Sequence, residues 1–244
     1  MNLKGVYVSK QFFLKGVYIG KVAQRYGLYT GINKSLVTNS LYLSPKGLAY
    51  DACADLDHHG GVERALHQYP LEHYSYWRQK YNKIVNSKNW EASGMGENLS
   101  SIGMMENTVC LGDQYQWGEA IIELSQPRSP CFKLNKRWGI EGLSLEMQKL
   151  GLCGWLYRVI QPGMVSIDEP LKLIDRAPKA MTIRKVCDIF FGNPLCNVGL
   201  LQLKQQNTLS DSWMNKVIQR LETGKVEDWG FRLLGADAIE KVKR

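Results

Sequence analysis

No run of 18 or more apolar residues occurs anywhere in this 244-residue chain, which excludes a conventional transmembrane helix. The opening stretch, "MNLKGVYVSKQFFLKGVYIGK", has neither a continuous apolar segment nor a small-residue cleavage site, so no secretory signal is expected and the cytoplasm is the expected compartment. The six cysteines, at positions 53, 110, 131, 153, 187 and 196, form no CxxC pair and no iron–sulfur spacing. A chain of this size needs no disulfides to hold its core, so free thiols are expected. There is also no GxGxxG after a strand and no flavin fingerprint, which argues against a built-in nicotinamide or flavin site.

Acidic residues are missing from the first fifty positions, which hold seven basic ones: Lys4, Lys10, Lys15, Lys21, Arg25, Lys34 and Lys46. The remainder carries 24 Lys and Arg against 23 Asp and Glu, so nearly all of the +8 net charge lies in that segment. Three readings stand at this point: solvated lysines, contact with nucleic acid, or cations for a phosphate-bearing small ligand. No nucleic-acid recognition motif accompanies the charge, which makes the second the weakest.

What is present reads mainly as strands up to about residue 176. Alternating segments occur at 15–18, 27–37 and 93–127, with hairpin punctuation at "LGD" and "WGEA". A Pro162-Gly163 turn divides the strands of 154–176. Val62, Ala65, Leu66 and Tyr69 fall at helical spacing, Pro70 interrupts, and 71–81 continues as an aromatic-rich helix. Residues 144–151 predict a helix ending at Gly151. After Arg176 come three short amphipathic segments, "TIRKVCDIFFG", "CNVGLLQLKQQ" and "LSDSWMNKVIQRLETG", with Ser210 as N-cap and Gly224 as C-cap of the last, and then a charged tail. The expectation is an α+β chain, with an antiparallel barrel-like β domain over 1–176, inserted helices, and a helical module with tail over 177–244.

All four histidines lie between 58 and 73. Their spacing does not suit structural zinc, which pairs ligands two to five residues apart, usually with cysteine partners. His67 and His73 read as packing residues. In "HHGG" the pair precedes a tight turn opening a helix, where a histidine can donate to an anion. In "GENLS", Asn98 offers a donor and an acceptor beside Glu97, suited to a heterocycle edge or equally to an Asx turn.

The most distinctive stretch is "SQPRSPC". Pro127 and Pro130 fix their own φ and push their predecessors toward extended backbone, so the segment is stiff without ladder bonds. Arg128 sits three residues from Cys131, and a nearby guanidinium favours the thiolate. Such a thiol suits nucleophilic attack or ligation of a soft metal. No Cys-His-Asn partner set is evident, which weakens the nucleophile, and the residues alone leave a buried structural thiol equally open.

Taken together, "TGINK" (30–34), "HHGG-x-x-x-AL-x-x-YP-x-EHY-x-YW" (58–77), "GENLS" (96–100), "SQPRSPC-x-KL" (125–134) and "GWLYRVIQPG" (154–163) resemble the MOSC family, in its stand-alone YiiM-like branch. The resemblance is collinear over roughly 16–235, and the family's usual Thr-Gly before "GW" stands here as Leu150-Gly151. It implies a β-barrel that binds the molybdenum cofactor (molybdopterin), with Cys131 as the thiolate ligand to molybdenum, and a three-helix module after it. It further implies Lys21, Thr30, His59, Glu97, Asn98 and Arg128 as lining the pterin and phosphate pocket, with Lys34 a further cation there. The activity implied is reduction of N-hydroxylated compounds such as 6-N-hydroxylaminopurine to amines, detoxifying base analogues. His59 or Arg128 would hold the departing oxygen or supply its proton. The implied partners are a separate electron-donating reductase, a small N-hydroxylated substrate and a second copy as a homodimer, with no membrane. The alternative is a non-catalytic carrier of the cofactor, or of sulfur, on Cys131.

Overall fold

The computed structural model describes residues 10–55, 60–83 and 90–235. Fourteen strands occur among them, in chain order β1 (Gln11–Phe12), β2 (Leu14–Ile19), β3 (Ala23–Arg25), β4 (Leu28–Thr30), β5 (Ser35–Leu36), β6 (Leu41–Ser44), β7 (Gly47–Leu48), β8 (Leu66–Pro70), β9 (Leu99–Ser101), β10 (Gln114–Trp117), β11 (Ala120–Pro127), β12 (Trp155–Gln161), β13 (Gly163–Val165) and β14 (Leu171–Asp175). Nine of these build one sheet in the order β1-β14-β10-β11-β12-β8-β9-β2-β5. Every neighbouring pair is antiparallel except β8 and β9, which run parallel. A three-stranded sheet (β13-β6-β7) and a two-stranded hairpin (β3-β4) complete the set.

The expected barrel is corrected here. Among the described residues the large sheet is open, with β1 and β5 at its two edges and no ladder joining them. Both edge strands are only two residues long, which limits the unpaired backbone each exposes. The central strands follow their sequence: β10 alternates buried and less buried residues, whereas β11, "AIIELSQP", is buried along nearly its whole length. Its turn from β10 is two residues long, led by Gly118 at φ +57°, a conformation that favours glycine.

Seven α-helices are described. Helix α1 (Glu72–Tyr81) begins one residue after β8, with Glu72 in its first turn and Arg78 and Lys80 in its last, the charge order its dipole favours. Helix α2 (Phe132–Trp138) starts directly after Cys131, and α3 (Leu143–Leu150) ends at Gly151 in the left-handed region, as expected. The C-terminal helices are α4 (Ile183–Cys187), running on into one π-type turn at Asp188–Gly192, α5 (Asn197–Lys204), α6 (Asp211–Thr223) and α7 (Gly230–Leu234). Ser210 and Gly224 bracket α6 as the sequence predicts. Two readings change. Residues 62–70 form a short 3-10 turn (Val62–Arg64) and a fully buried strand instead of a helix, and the tail beyond Gly224 contains α7.

Two apolar cores result. The larger joins the sheet, through Leu66, Tyr115, Ile122, Leu124 and Trp155, to the C-terminal helices, through Ile183, Leu200, Leu203, Trp213 and Val217. The smaller is aromatic and gathers Tyr69, Tyr74, Trp77, Trp90 and Trp138 with Leu134 and Met147. Trp90 and Trp138 stack with ring centroids 3.8 Å apart. Residues 125–131 carry the chain from the first core to the second.

Candidate functional site

The site grows out of the end of β11. Pro127 pairs with Trp155 at the start of β12, and the Arg128 N–H donates to the Gly154 carbonyl at 3.1 Å. Gly154 has φ +68°, and a Cβ there would lie 2.3 Å from the Gln68 carbonyl oxygen and 3.1 Å from His67 Nε2. Only glycine lets β12 approach β8 this closely. Beyond Pro130 the backbone of Cys131 is extended (φ −132°, ψ 165°), and its carbonyl accepts from Leu134 N–H to begin α2. The thiol makes no capping bond to that helix, and the residue as a whole is 5% exposed. It is a stiffly mounted, enclosed sulfur that the helix does not use.

Two buried nitrogens nearby lack hydrogen-bond partners among the described residues: Arg128 Nη1 and His67 Nε2. His67 is on β8, and its ring is held well below the ordinary histidine range by burial and then by the Arg128 guanidinium, against the carbonyls of Cys153 and Gly96. The imidazole is therefore neutral near pH 7. Leaving a buried polar group unpaired costs about 1–3 kcal/mol, so this pair marks a place where the fold gives up stability.

The "GENLS" residues are enclosed and heavily bonded within the protein. Glu97 accepts from Tyr74 Oη (2.6 Å), Ser93 N–H (2.7 Å), Met95 N–H (3.0 Å) and Ser100 Oγ (3.1 Å). Burial raises its pKa, and those hydrogen bonds hold it back. Asn98 Oδ1 accepts from His67 N–H at 3.1 Å, while its Nδ2 donates to the Tyr18 carbonyl (3.1 Å) and to Asp51 Oδ2 (2.7 Å). Both side chains brace the loop beside β8. Thr30 is buried and its Oγ1 accepts from Ile32 N–H at 3.1 Å, whereas Lys21 is exposed after β2. Lys34, not Lys21, is the cation drawn into the fold, paired with Asp51. His58 and His59 lie outside the described residues, and the Gly60-Gly61 pair leads into the 3-10 turn. His73 faces Glu106 at 2.8 Å, and Glu106 also accepts from Gly154 N–H, so this histidine holds the glycine turn in place.

Sequence reasoning missed three charged groups here. Asp51 anchors Lys34, Asn98 and the Gly20 N–H. Arg137, in α2, donates to the Ile32 carbonyl at 2.6 Å, and its lowered pKa reflects burial, with Tyr26, Tyr74 and Glu97 opposing. Arg232, in α7, donates to the Pro130 carbonyl at 2.5 Å. Each acts across a separation that no local pattern reveals, although "GW" at 154–155 and the charge of Arg137 were visible. Among the described residues no three His, Cys, Asp or Glu side chains converge as a metal cage. No helix among them is long and apolar enough to cross a membrane.

Comparison with known proteins fits this geometry. The MOSC domain model matches residues 55–172. The chain is 40% identical over 209 residues to Protein YiiM of Escherichia coli, covering 86% of this chain and 92% of that one. The crystal structure of YiiM from Escherichia coli superposes with a TM-score of 0.80 at 36% identity, over 93% of this chain and all of the other. That of YiiM from Geobacillus stearothermophilus gives 0.72 at 28% identity, over 86% and 99%. A Gibberella moniliformis protein named Reductase is 29% identical over 195 residues, which is 80% of this chain but 34% of that longer one. With its stiff proline-flanked thiol, its β8–β12 glycine turn and this breadth of similarity, the chain belongs to the MOSC domain family, among the YiiM-like proteins.

Proposed function

We propose that this protein is a molybdenum-cofactor-dependent oxidoreductase that reduces N-hydroxylated compounds, such as 6-N-hydroxylaminopurine, to amines. The observation that carries the reading is the enclosed Cys131 thiol, free of any capping role, beside an Arg128 whose Nη1 is buried without a partner. MOSC domains are associated with the molybdenum cofactor, and the donor set suits it: a soft thiolate for the metal and buried N–H donors for oxygen atoms. When bound, the cofactor supplies a metal that exchanges two electrons. The relative named Reductase supports redox chemistry over transport.

The chain's own residues do the rest. Cys131 would hold the metal from its fixed backbone. Arg128 Nη1 donates to the substrate hydroxyl oxygen, orienting the N–O bond; His59, outside the described residues, is the other candidate that the family resemblance implies for that oxygen. Neutral His67 accepts or donates one hydrogen bond without adding charge. In net terms, R–NH–OH takes up two electrons and two protons and leaves as R–NH2 and water. The electrons come from a separate reductase, and a cytoplasmic setting with small-molecule substrates belongs to the same reading.

The test is Cys131→Ala, purified beside the parent chain from a host that makes the cofactor. Molybdenum per chain and turnover with an artificial electron donor are both measured. The parent is expected to hold molybdenum and reduce the hydroxylamine, and the variant to lose at least a hundredfold in rate while unfolding at nearly the same temperature. An active, molybdenum-loaded variant removes Cys131 from the role. A parent that binds the cofactor stoichiometrically and turns nothing over is a carrier.

A further inference from the structure

We propose that Arg232, on the C-terminal helix α7, is a positioning residue that fixes the direction of the Cys131 side chain. The inference rests on the proposed function only in taking Cys131 as the working thiol. Arg232 Nη1 donates to the Pro130 carbonyl at 2.5 Å, and Nη2 donates to Gln148 Oε1 on α3 at 2.6 Å. The Pro130 carbonyl belongs to the peptide plane whose nitrogen is that of Cys131, so holding this oxygen fixes the plane from which the thiol projects. Guanidinium is suited to the task because its donors sit in a rigid fork, and one side chain can span a carbonyl and an amide at once.

Helix α7 is itself anchored to the same neighbourhood. The Leu233 carbonyl accepts from Asn135 Nδ2 on α2 at 2.9 Å and from Ser144 Oγ on α3 at 2.7 Å. The Phe231 and Phe132 rings meet edge to face with centroids 6.1 Å apart. Burial disfavours the charge of the Arg232 guanidinium, while Cys131, Cys153 and Glu227 favour it and Arg128 opposes it, which places both thiols within its field. The segment that carries Cys131 is thus held from two directions, by the Arg128 N–H on the Gly154 carbonyl and by a residue 101 positions after Cys131 on the Pro130 carbonyl.

Three variants test this: Arg232→Ala, Arg232→Lys and, as a control that loosens α7 without touching Pro130, Phe231→Ala. The rate of Cys131 alkylation by iodoacetamide on its alkaline plateau, where the thiol is fully ionised in every variant, is followed by peptide mass spectrometry, with exposed Cys53 and Cys196 as internal standards. Arg232→Ala is expected to raise the Cys131 rate at least fivefold relative to those standards, Arg232→Lys to fall between it and the parent, and Phe231→Ala to stay within twofold. Molybdenum retained per chain is expected to fall at least threefold in Arg232→Ala alone. An Arg232→Ala rate equal to that of the parent or of Phe231→Ala overturns the proposal. If the parent chain holds no molybdenum, the cofactor reading fails by itself, and the alkylation comparison still decides the role of Arg232.

Discussion

Lys34 and Asp51 form an ion pair whose side chains are 8% and 15% exposed, and the same carboxylate accepts from Asn98 Nδ2 and from the Gly20 N–H, each at 2.7 Å. One carboxylate therefore ties the end of β2, the segment after β4 and the loop before β9 into a single unit beside β8. Asp51→Ala takes the partner from the buried Lys34 ammonium, the acceptor from the Gly20 N–H, and one of two acceptors from Asn98 Nδ2. Removing one partner of a buried pair costs about 3–5 kcal/mol, and the residual solvent access brings the expectation to roughly 2–3 kcal/mol. Urea denaturation measures it. Adding Lys34→Met should recover part of the loss, and strictly additive losses would show that the pair is not coupled.

The buried ring of His67 predicts an acid-side loss of stability. Its folded pKa is depressed by burial and by Arg128, so above the unfolded value of about 6.5 neither state binds the proton. As pH falls below that value the unfolded chain takes up a proton that the folded ring refuses, and stability is lost. From pH 7.5 to pH 5.5 this one group should remove about 1 kcal/mol. The His67→Gln variant should lose correspondingly less over the same interval in parallel urea titrations. Equal losses in parent and variant would assign the acid sensitivity to other groups.

The core shared across residue 176 makes a third prediction. Trp213 on α6 is 2% exposed, stacks on Phe190 at 3.9 Å, and belongs to the same cluster as Ile122 and Trp155 of the sheet. We propose that the helices described within 177–235 form a module that folds onto the strands and not by itself. Trp213→Ala should cost about 3–5 kcal/mol. A chain ending at Arg176 should show no cooperative thermal transition, and a sharp one near the parent's temperature would make the helices dispensable.

Where local physics decides the outcome, the sequence was readable. Gly151 and Gly224 in the left-handed region end α3 and α6, and Gly118 turns β10 into β11, as the turn residues indicate. The 62–70 segment misled because Val62, Ala65, Leu66 and Tyr69 mimic a helical face, whereas a strand buried on both sides carries no period-two signal. Pro70 is tolerated there as the last residue of that strand, against β9. The barrel was expected both from the succession of strands and turns and from the family resemblance, but closure itself has no local signature. In the site, Cys131 and Arg128 announced themselves through the prolines beside them. Asp51, Arg137 and Arg232 did not, because a lone charge reveals nothing of a partner 17 to 105 positions away.

The parallel neighbours β8 and β9 have one more implication. The recognisable MOSC span, 55–172, begins after β2 and β5, which complete the sheet beyond β9, and stops two residues into β14. The stretch that inheritance keeps legible and the sheet it belongs to thus have different edges. A gene rearrangement that moved only the legible stretch would carry away an unfinished sheet, and the bared side of β9 would solicit a strand from whatever chain it landed beside.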